Sequence, residues 1–136
     1  MDYYTAVQKN QGFQRMTEDG SVSDHIKNLA ADLRVHCTEL EDFALNLLDQ
    51  SCDDEARIYF MKIAADCKRY KLEIEIFYLE NQNVEELNEK KKIVDDYYNL
   101  AILEAESATS TIKDFNQVKL GLISNYSLFL MDIMGQ

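Results

Sequence analysis

The chain has 136 residues, with 14 Lys and Arg against 25 Asp and Glu, a formal net charge of -11 and no proline. This acidity argues against nucleic acid and anionic membranes as partners, since both need a cationic protein surface, and it favours basic protein segments. The length predicts a single domain, residues 1–136, with a modest helical core.

The first half of the chain predicts a weakly patterned segment followed by a long helix. Residues 1–20 show little periodicity and end in Glu18, Asp19 and Gly20, which predict a turn. Ser23 and Asp24 then form an N-cap signal for a helix to about Asp49. Its predicted buried face repeats every three and four positions and includes Ile26, Leu29, Leu33, Cys37, Leu40, Phe43 and Ala44.

A second helix is predicted after the acidic break at 49–54, ending near Leu79. Five of its side chains lie on one side, namely Lys62, Asp66, Arg69, Tyr70 and Glu73. Such a charged face is typical of solvated ion pairs on any surface helix. Alternatively, the planar fork of Arg69 and the hydroxyl of Tyr70 suit a phosphate ester, which carries nearly two charges and three acceptor oxygens.

The remaining sequence predicts two more helices. One runs from about Val84 to Ala108, with Glu86 and Lys90 as a surface pair. Its predicted core-facing stripe is Leu87, Val94, Tyr97 or Tyr98, Ala101 and Ala105. Short polar connectors between helices of similar length predict antiparallel neighbours. Since no strand alternation competes, the predicted fold is an all-α antiparallel helical bundle.

The last helix, Lys119 to Ile133, is almost wholly apolar in every direction around its axis and is therefore predicted to be buried. Gly121, Asn125, Leu128 and Asp132 share one stripe, and Gly121 is expected to leave open space one turn below the amide. A buried carboxamide needs hydrogen-bond partners. Two interpretations stay open for Asn125: an amide satisfied inside the helical core, or one that holds the backbone of a ligand in a groove.

Three segments resemble the 14-3-3 proteins. Lys-Leu-Gly-Leu-Ile-Ser-Asn-Tyr-Ser-Leu-Phe at 119–129 resembles the family motif Arg-Leu-Gly-Leu-Ala-Leu-Asn-Phe-Ser-Val-Phe. Residues 56–70 look like the family's Val-Phe-Tyr-Leu-Lys-Met-Lys-Gly-Asp-Tyr-Tyr-Arg-Tyr helix. Residues 33–40, with 44–48, are similar to the long helix that precedes it. The resemblance covers about residues 24–133, and the 14-3-3-like helices are assigned to 24–134.

The resemblance implies a non-enzymatic adaptor for phosphoserine and phosphothreonine peptides. Arg69 and Tyr70 match the family's phosphate-binding pair, with Lys62 beside them, and Asn125 matches the residue that holds the peptide backbone. Ser124, Leu128 and Asp132 complete the predicted phosphopeptide site on the last helix. The implied partners are phosphorylated proteins and a second copy of the chain, because family members form dimers.

The likeness runs out at both ends. Nothing here corresponds to the last two of the family's nine helices, and this is expected to leave one flank of Leu120–Ile133 without cover. Upstream, Met1, Asp2 and residues 7–9 resemble the start of the first family helix, an alignment in which half of the basic pocket is missing. Alternatively, Lys9, Asn10, Gly12 and Arg15 echo the third family helix, which carries the pocket's other Lys and Arg.

No catalytic, cofactor or metal site is predicted, since the chain has no Gly-rich phosphate loop and no Ser-His-Asp set. Cys37, Cys52 and Cys67 are well-spaced and indicate reduced thiols in a cytoplasmic protein. The apolar segment 120–134 is too short to span a bilayer comfortably. Two alternatives remain beside the adaptor: a helical interaction or dimerisation protein that has lost phosphopeptide binding, and an acidic helical domain that binds basic partners by charge.

Overall fold

The computed structural model describes residues 20–51, 53–79, 81–108, 112–114 and 116–135. Within these ranges the chain forms four α-helices and no strand, which confirms the all-α prediction. The helices are α1 Gly20–Gln50, α2 Asp54–Phe77, α3 Val84–Ser107 and α4 Gln117–Asp132. Cys52 and residues 1–19, with the possible third-helix residues Lys9, Asn10, Gly12 and Arg15, lie outside the described part of the chain.

Helix α2 is the central element of the fold. It packs against α1, α3 and α4, and α3 also packs against α4, whereas α1 and α3 do not approach each other within the described ranges. Cross-helix contacts fix the directions: Arg34 meets Glu75 while Glu41 meets Lys68, so α1 and α2 are antiparallel. Helix α2 is likewise antiparallel to α3, and α4 runs alongside α2 in the same direction.

Side-chain caps explain where three of the helices begin. Asp53, Asn83 and Asn116 each accept a hydrogen bond from a backbone N–H of the first turn of α2, α3 and α4. The predicted cap at Ser23 is wrong, because α1 already begins at Gly20. A capping residue is only a local preference, and no proline stands before Ser23 to stop the helix.

The main core lies between α2, α3 and α4. Tyr98, Phe129, Ile58 and Leu122 are among its largest fully buried side chains, and the small residues Ala65, Ala101 and Ala105 let the helices approach closely. The predicted buried stripe of α1 is only partly correct. Helix α1 buries Ala30, Glu41 and Ala44, but four predicted core residues are exposed, namely Leu29, Leu33, Leu40 and Phe43. The reason is that α2 alone covers α1 among the described helices.

The prediction from the apolar pattern that α4 is buried on all sides is also wrong, whereas the uncovered flank expected from the family resemblance is present. Within the helix only Leu122 and Phe129 are fully buried. Helices α2 and α3 cover one side of α4, and the opposite side presents large apolar side chains to solvent: Leu120, Ile123, Leu128 and Met131. Across the described ranges, no helix has the length and apolar character needed to cross a membrane.

Candidate functional site

The charged face of α2 points into the protein. Asp66, Arg69 and Glu73 are only 7%, 6% and 2% exposed, and Lys62 and Tyr70 are half-buried. Charges withdrawn from water to this degree are costly unless they are paired and hydrogen-bonded. The interpretation of this face as solvated ion pairs is therefore wrong.

Asp66 is the acceptor at which three helices meet. Lys62 Nζ lies 2.8 Å from its Oδ2 along α2. The Tyr98 hydroxyl donates to Oδ1 from α3. Asn125 Nδ2, from α4, lies 3.1 Å from Oδ1 and 3.0 Å from Oδ2. The buried Asp66 carboxylate thus joins Lys62 and Asn125, two residues of the predicted site.

Arg69 lies beside this carboxylate and is fixed on several sides. Its Nε donates to the Tyr98 hydroxyl at 3.0 Å and its Nη1 donates to Glu73 Oε1 at 3.2 Å. Its Nη2 is 3.9 Å from Asp66 Oδ1. The guanidinium also lies 4.6 Å from the centre of the Tyr70 ring, a cation–π distance. Arg69 and Tyr70 therefore form a stacked pair on α2.

Burial and these partners set the protonation of the cluster. Desolvation lowers the pKa of Arg69, but Tyr98 and Glu73 more than offset it, so the pKa is raised and the guanidinium stays charged. Burial raises the pKa of Tyr98, and Asp66 raises it further. Burial also raises the pKa of Tyr70, against the opposing effect of Arg69. Both phenols are thus protonated donors at neutral pH.

Gly121 brings α4 close to α2. A Cβ atom at this position would lie 3.2 Å from Lys62 Cε. The open space predicted beside Gly121 does not exist, because the aliphatic part of Lys62 fills it. The glycine therefore positions Lys62, whose ammonium reaches Asp66 one helical turn away.

The structure brings together four of the residues singled out in the sequence: Lys62, Asp66, Arg69 and Asn125. Tyr70 joins them through its stacking on Arg69. Ser124, Leu128 and Asp132 are exposed side chains of α4 and lie outside the hydrogen-bonded cluster.

Sequence reasoning missed the role of Tyr98. The α3 periodicity marked it as a core residue, and it is fully buried. Its hydroxyl, however, accepts from Arg69 and donates to Asp66. This role could have been inferred from the chemistry of the side chain, since a buried tyrosine hydroxyl usually has a hydrogen-bond partner.

The cluster carries no formal excess of charge. Lys62 and Arg69 supply two positive charges, and Asp66 and Glu73 supply two negative ones. An incoming phosphate would therefore compete with carboxylates that already hold both cations.

Comparison with known proteins identifies the family. The sequence profile of the 14-3-3 protein family matches residues 4–136, which extends upstream of the resemblance seen at 24–133. A curated relative, the 14-3-3 protein homolog of Encephalitozoon cuniculi (strain GB-M1), is 29% identical over 118 residues, which are 84% of this chain and 42% of that protein. The chain thus spans less than half the length of this relative. No solved structure matches the chain significantly. The family profile covers almost the whole chain, and the chain belongs to the 14-3-3 family.

Proposed function

We propose that the chain is an adaptor that binds phosphoserine or phosphothreonine peptides in a groove between α2 and α4. One observation carries the proposal: Asp66 connects Asn125 of α4 to the Lys62 and Arg69 face of α2. The amide and the cations that the family uses for one peptide are therefore within one hydrogen-bonded cluster.

Each residue has a proposed role in that groove. Arg69 uses two of its five N–H donors on Tyr98 and Glu73, so the phosphate would bind the remaining edge together with Lys62 and Tyr70. Asn125 gives its Nδ2 to Asp66, and its Oδ1, which has no hydrogen bond within the described part of the chain, would accept a peptide N–H. Leu128, Ser124 and Asp132 would form the open wall.

The electrostatics support weak binding of phosphate by these residues alone. The two cations are already neutralised by Asp66 and Glu73, so a phosphate gains little net attraction unless further cations contribute. This neutrality favours one alternative, a helical interaction or dimerisation protein without phosphopeptide binding. The proposed partners are phosphorylated proteins and a second copy of the chain, with no enzymatic activity and no cofactor.

Calorimetric titration with phosphorylated and unphosphorylated versions of one serine peptide tests the function. We expect weak binding of the phosphorylated peptide and loss of most of it in Arg69→Ala, because a hydrogen bond between charged groups contributes roughly 1.5–3 kcal/mol. Arg57→Ala is the matched control, since Arg57 also lies on α2 but pairs with Glu104.

Arg69→Ala also removes the guanidinium that pairs with the buried Glu73 carboxylate, so thermal unfolding of each variant is measured in parallel. If Arg69→Ala does not fold, Lys62→Gln, a more exposed position, replaces it. Equal affinity for the two peptides contradicts the proposal and supports the interaction protein.

A further inference from the structure

A second group of cations lies on the other side of α2. Successive residues of a helix turn by about 100°, so Lys68, Lys71 and Glu75 project away from the Lys62 and Arg69 face. They border a cavity of about 250 Å³ that sits on α2 in the gap between α1 and α3. We call it the outer pocket; it is lined by Arg34, Thr38, Lys68, Lys71, Leu72, Glu75, Lys90, Ile93 and Val94.

Two buried carboxylates hold the cations of the outer pocket in place. Glu75 is 2.6 Å from both Arg34 and Lys90. Glu41 is 2.6 Å from both Lys68 and Lys71. Glu75 is 5% exposed and Glu41 is 4% exposed. Each carboxylate thus binds two cations, and the four cations come from α1, α2 and α3.

This arrangement leaves positive charge at the mouth of the pocket. Glu86 also contacts Lys90, at 2.9 Å, so four cations face three carboxylates on a protein whose net charge is -11. Arg34 donates to Glu75 and its side chain is 45% exposed, so most of its five N–H donors are available. Lys71 Nζ contacts Glu41 and Thr38, and Lys90 Nζ contacts Glu75 and Glu86. Both lysine side chains are partly exposed, so an anion would share their ammonium groups with these acceptors.

Three apolar residues also line the outer pocket: Leu72 of α2, and Ile93 and Val94 of α3. Ile93 is exposed, although Leu72 and Val94 beside it are buried. A pocket with a cationic rim and an apolar wall suits a ligand with an anionic head and a compact apolar body. Its volume exceeds what a phosphate group alone would occupy.

We propose that the outer pocket binds a phosphate monoester that carries a compact apolar body. A phosphate monoester has three acceptor oxygens and nearly two charges, which match the separate donors of Arg34, Lys71 and Lys90, while the apolar body contacts Ile93 and Val94. The ester is either a free small molecule or a phosphorylated side chain. This site is independent of the groove between α2 and α4.

Calorimetric titration of the 136-residue chain with phenyl phosphate tests the outer pocket. Phenol and inorganic phosphate serve as the two half-ligands, and we expect both to bind more weakly than phenyl phosphate. Arg34→Gln should weaken phenyl phosphate about tenfold, because it removes a charge-assisted hydrogen bond while Lys90 continues to pair with Glu75. Lys92→Gln, the same change of charge on the exposed side of α3, should leave the affinity unchanged.

A second measurement uses the unmutated chain, so the test does not depend on the folding of a variant. Phenyl phosphate should protect Lys71 and Lys90 from an amine-reactive label and leave Lys92 reactive. Absence of binding, equal loss in Arg34→Gln and Lys92→Gln, or absence of protection overturns the proposal.

Crossed variants separate the outer pocket from the groove. Phenyl phosphate should bind Arg69→Ala as tightly as the unmutated chain. If Arg34→Gln leaves the affinity of a phosphoserine peptide unchanged, the ester bound in the outer pocket is a free small molecule. Loss of phenyl phosphate binding in Arg69→Ala assigns it to the groove and overturns the outer pocket. If a phosphoserine peptide loses affinity in Arg34→Gln, the ester bound in the outer pocket is a phosphorylated side chain.

Discussion

Tyr98 links two charged groups of the site through its hydroxyl. It accepts from Arg69 and donates to Asp66, and both of these partners are buried. Removing the hydroxyl leaves two buried charged groups each short of one hydrogen bond. We expect Tyr98→Phe to lower the free energy of unfolding at pH 7 by about 1–3 kcal/mol, measured by urea denaturation, with exposed Tyr59→Phe as the control. A change equal to that of the control would contradict this role.

The same hydroxyl predicts how stability depends on pH. The pKa of Tyr98 is raised from 10.0 in the folded chain, by burial and by Asp66, and burial raises the pKa of Cys67 from 9.0 to about 12. Because both groups hold their protons more tightly when folded, their contribution is complete below about pH 9 and is lost as the pH rises from there. Denaturation curves between pH 8 and 12 should show this loss, and a shallower loss above pH 10 in Tyr98→Phe. Equal slopes for both chains would exclude Tyr98 as a contributor.

Asn125 has a structural role as well as its proposed functional one. Its Nδ2 donates to both oxygens of Asp66, which ties α4 to α2. We therefore expect Asn125→Ala to remain folded, to lose about 1–2 kcal/mol of stability and to bind phosphopeptide more weakly. Urea denaturation and calorimetry on the same sample give both values. Ser127→Ala is the control, since that hydroxyl bonds only within α4. Lower stability with unchanged affinity would make Asn125 a core amide only.

At the scale of elements, the contact between α2 and α4 depends on Gly121. An alanine would add helix propensity worth about 1 kcal/mol but would meet the Lys62 stem at 3.2 Å. The two effects oppose each other, so Gly121→Ala should change stability by less than about 1 kcal/mol. The Lys62 stem must yield slightly to the added methyl group, and because Lys62 is a proposed phosphate contact, we expect weaker phosphopeptide binding in this variant.

Gly121→Leu gives the matched comparison for the same contact. It cannot be accommodated by a small movement of Lys62, so it should destabilise the chain by about 1–3 kcal/mol. Thermal unfolding distinguishes the two substitutions. A leucine tolerated as well as the alanine would show that α4 does not depend on close approach at this position.

At the scale of the whole molecule, the exposed side of α4 predicts self-association. Leu120, Leu128 and Met131 are 52%, 45% and 64% exposed, and contiguous apolar surface of this kind marks interaction sites. His25, Asn28 and Asp32 on α1 are also exposed, but they are polar. We therefore expect the 136-residue chain to associate through α4, as light scattering would show.

Met131→Glu and Leu128→Glu are suitable probes, because both side chains are exposed. Phe129 is unsuitable although it lies on the same helix, since it is fully buried against Tyr98 and Tyr126. Both glutamate variants should shift the chain towards monomer, and Asp132→Glu should not. A monomeric unmutated chain would contradict the prediction.

Local features of the sequence determined the helices and the family resemblance. Acidic breaks, polar connectors and the absence of proline fixed the four helices to within a few residues, because capping and periodicity act between neighbours in the chain. Of the predicted α3 stripe, Val94, Tyr98, Ala101 and Ala105 are buried, and Leu87 and Tyr97 are half-buried. The motif at 119–129 indicated the family that the profile confirms.

Only the tertiary structure decided which side chains are covered and which groups they contact. Periodicity cannot tell how many helices surround a given helix. It therefore did not indicate that α1 exposes Leu33 and Phe43 or that the charged face of α2 is buried. The hydrogen bonds of Asp66 join residues of α2, α3 and α4 that are up to 59 positions apart in the chain. Such contacts depend on how the helices pack, which short-range patterns in the sequence do not encode.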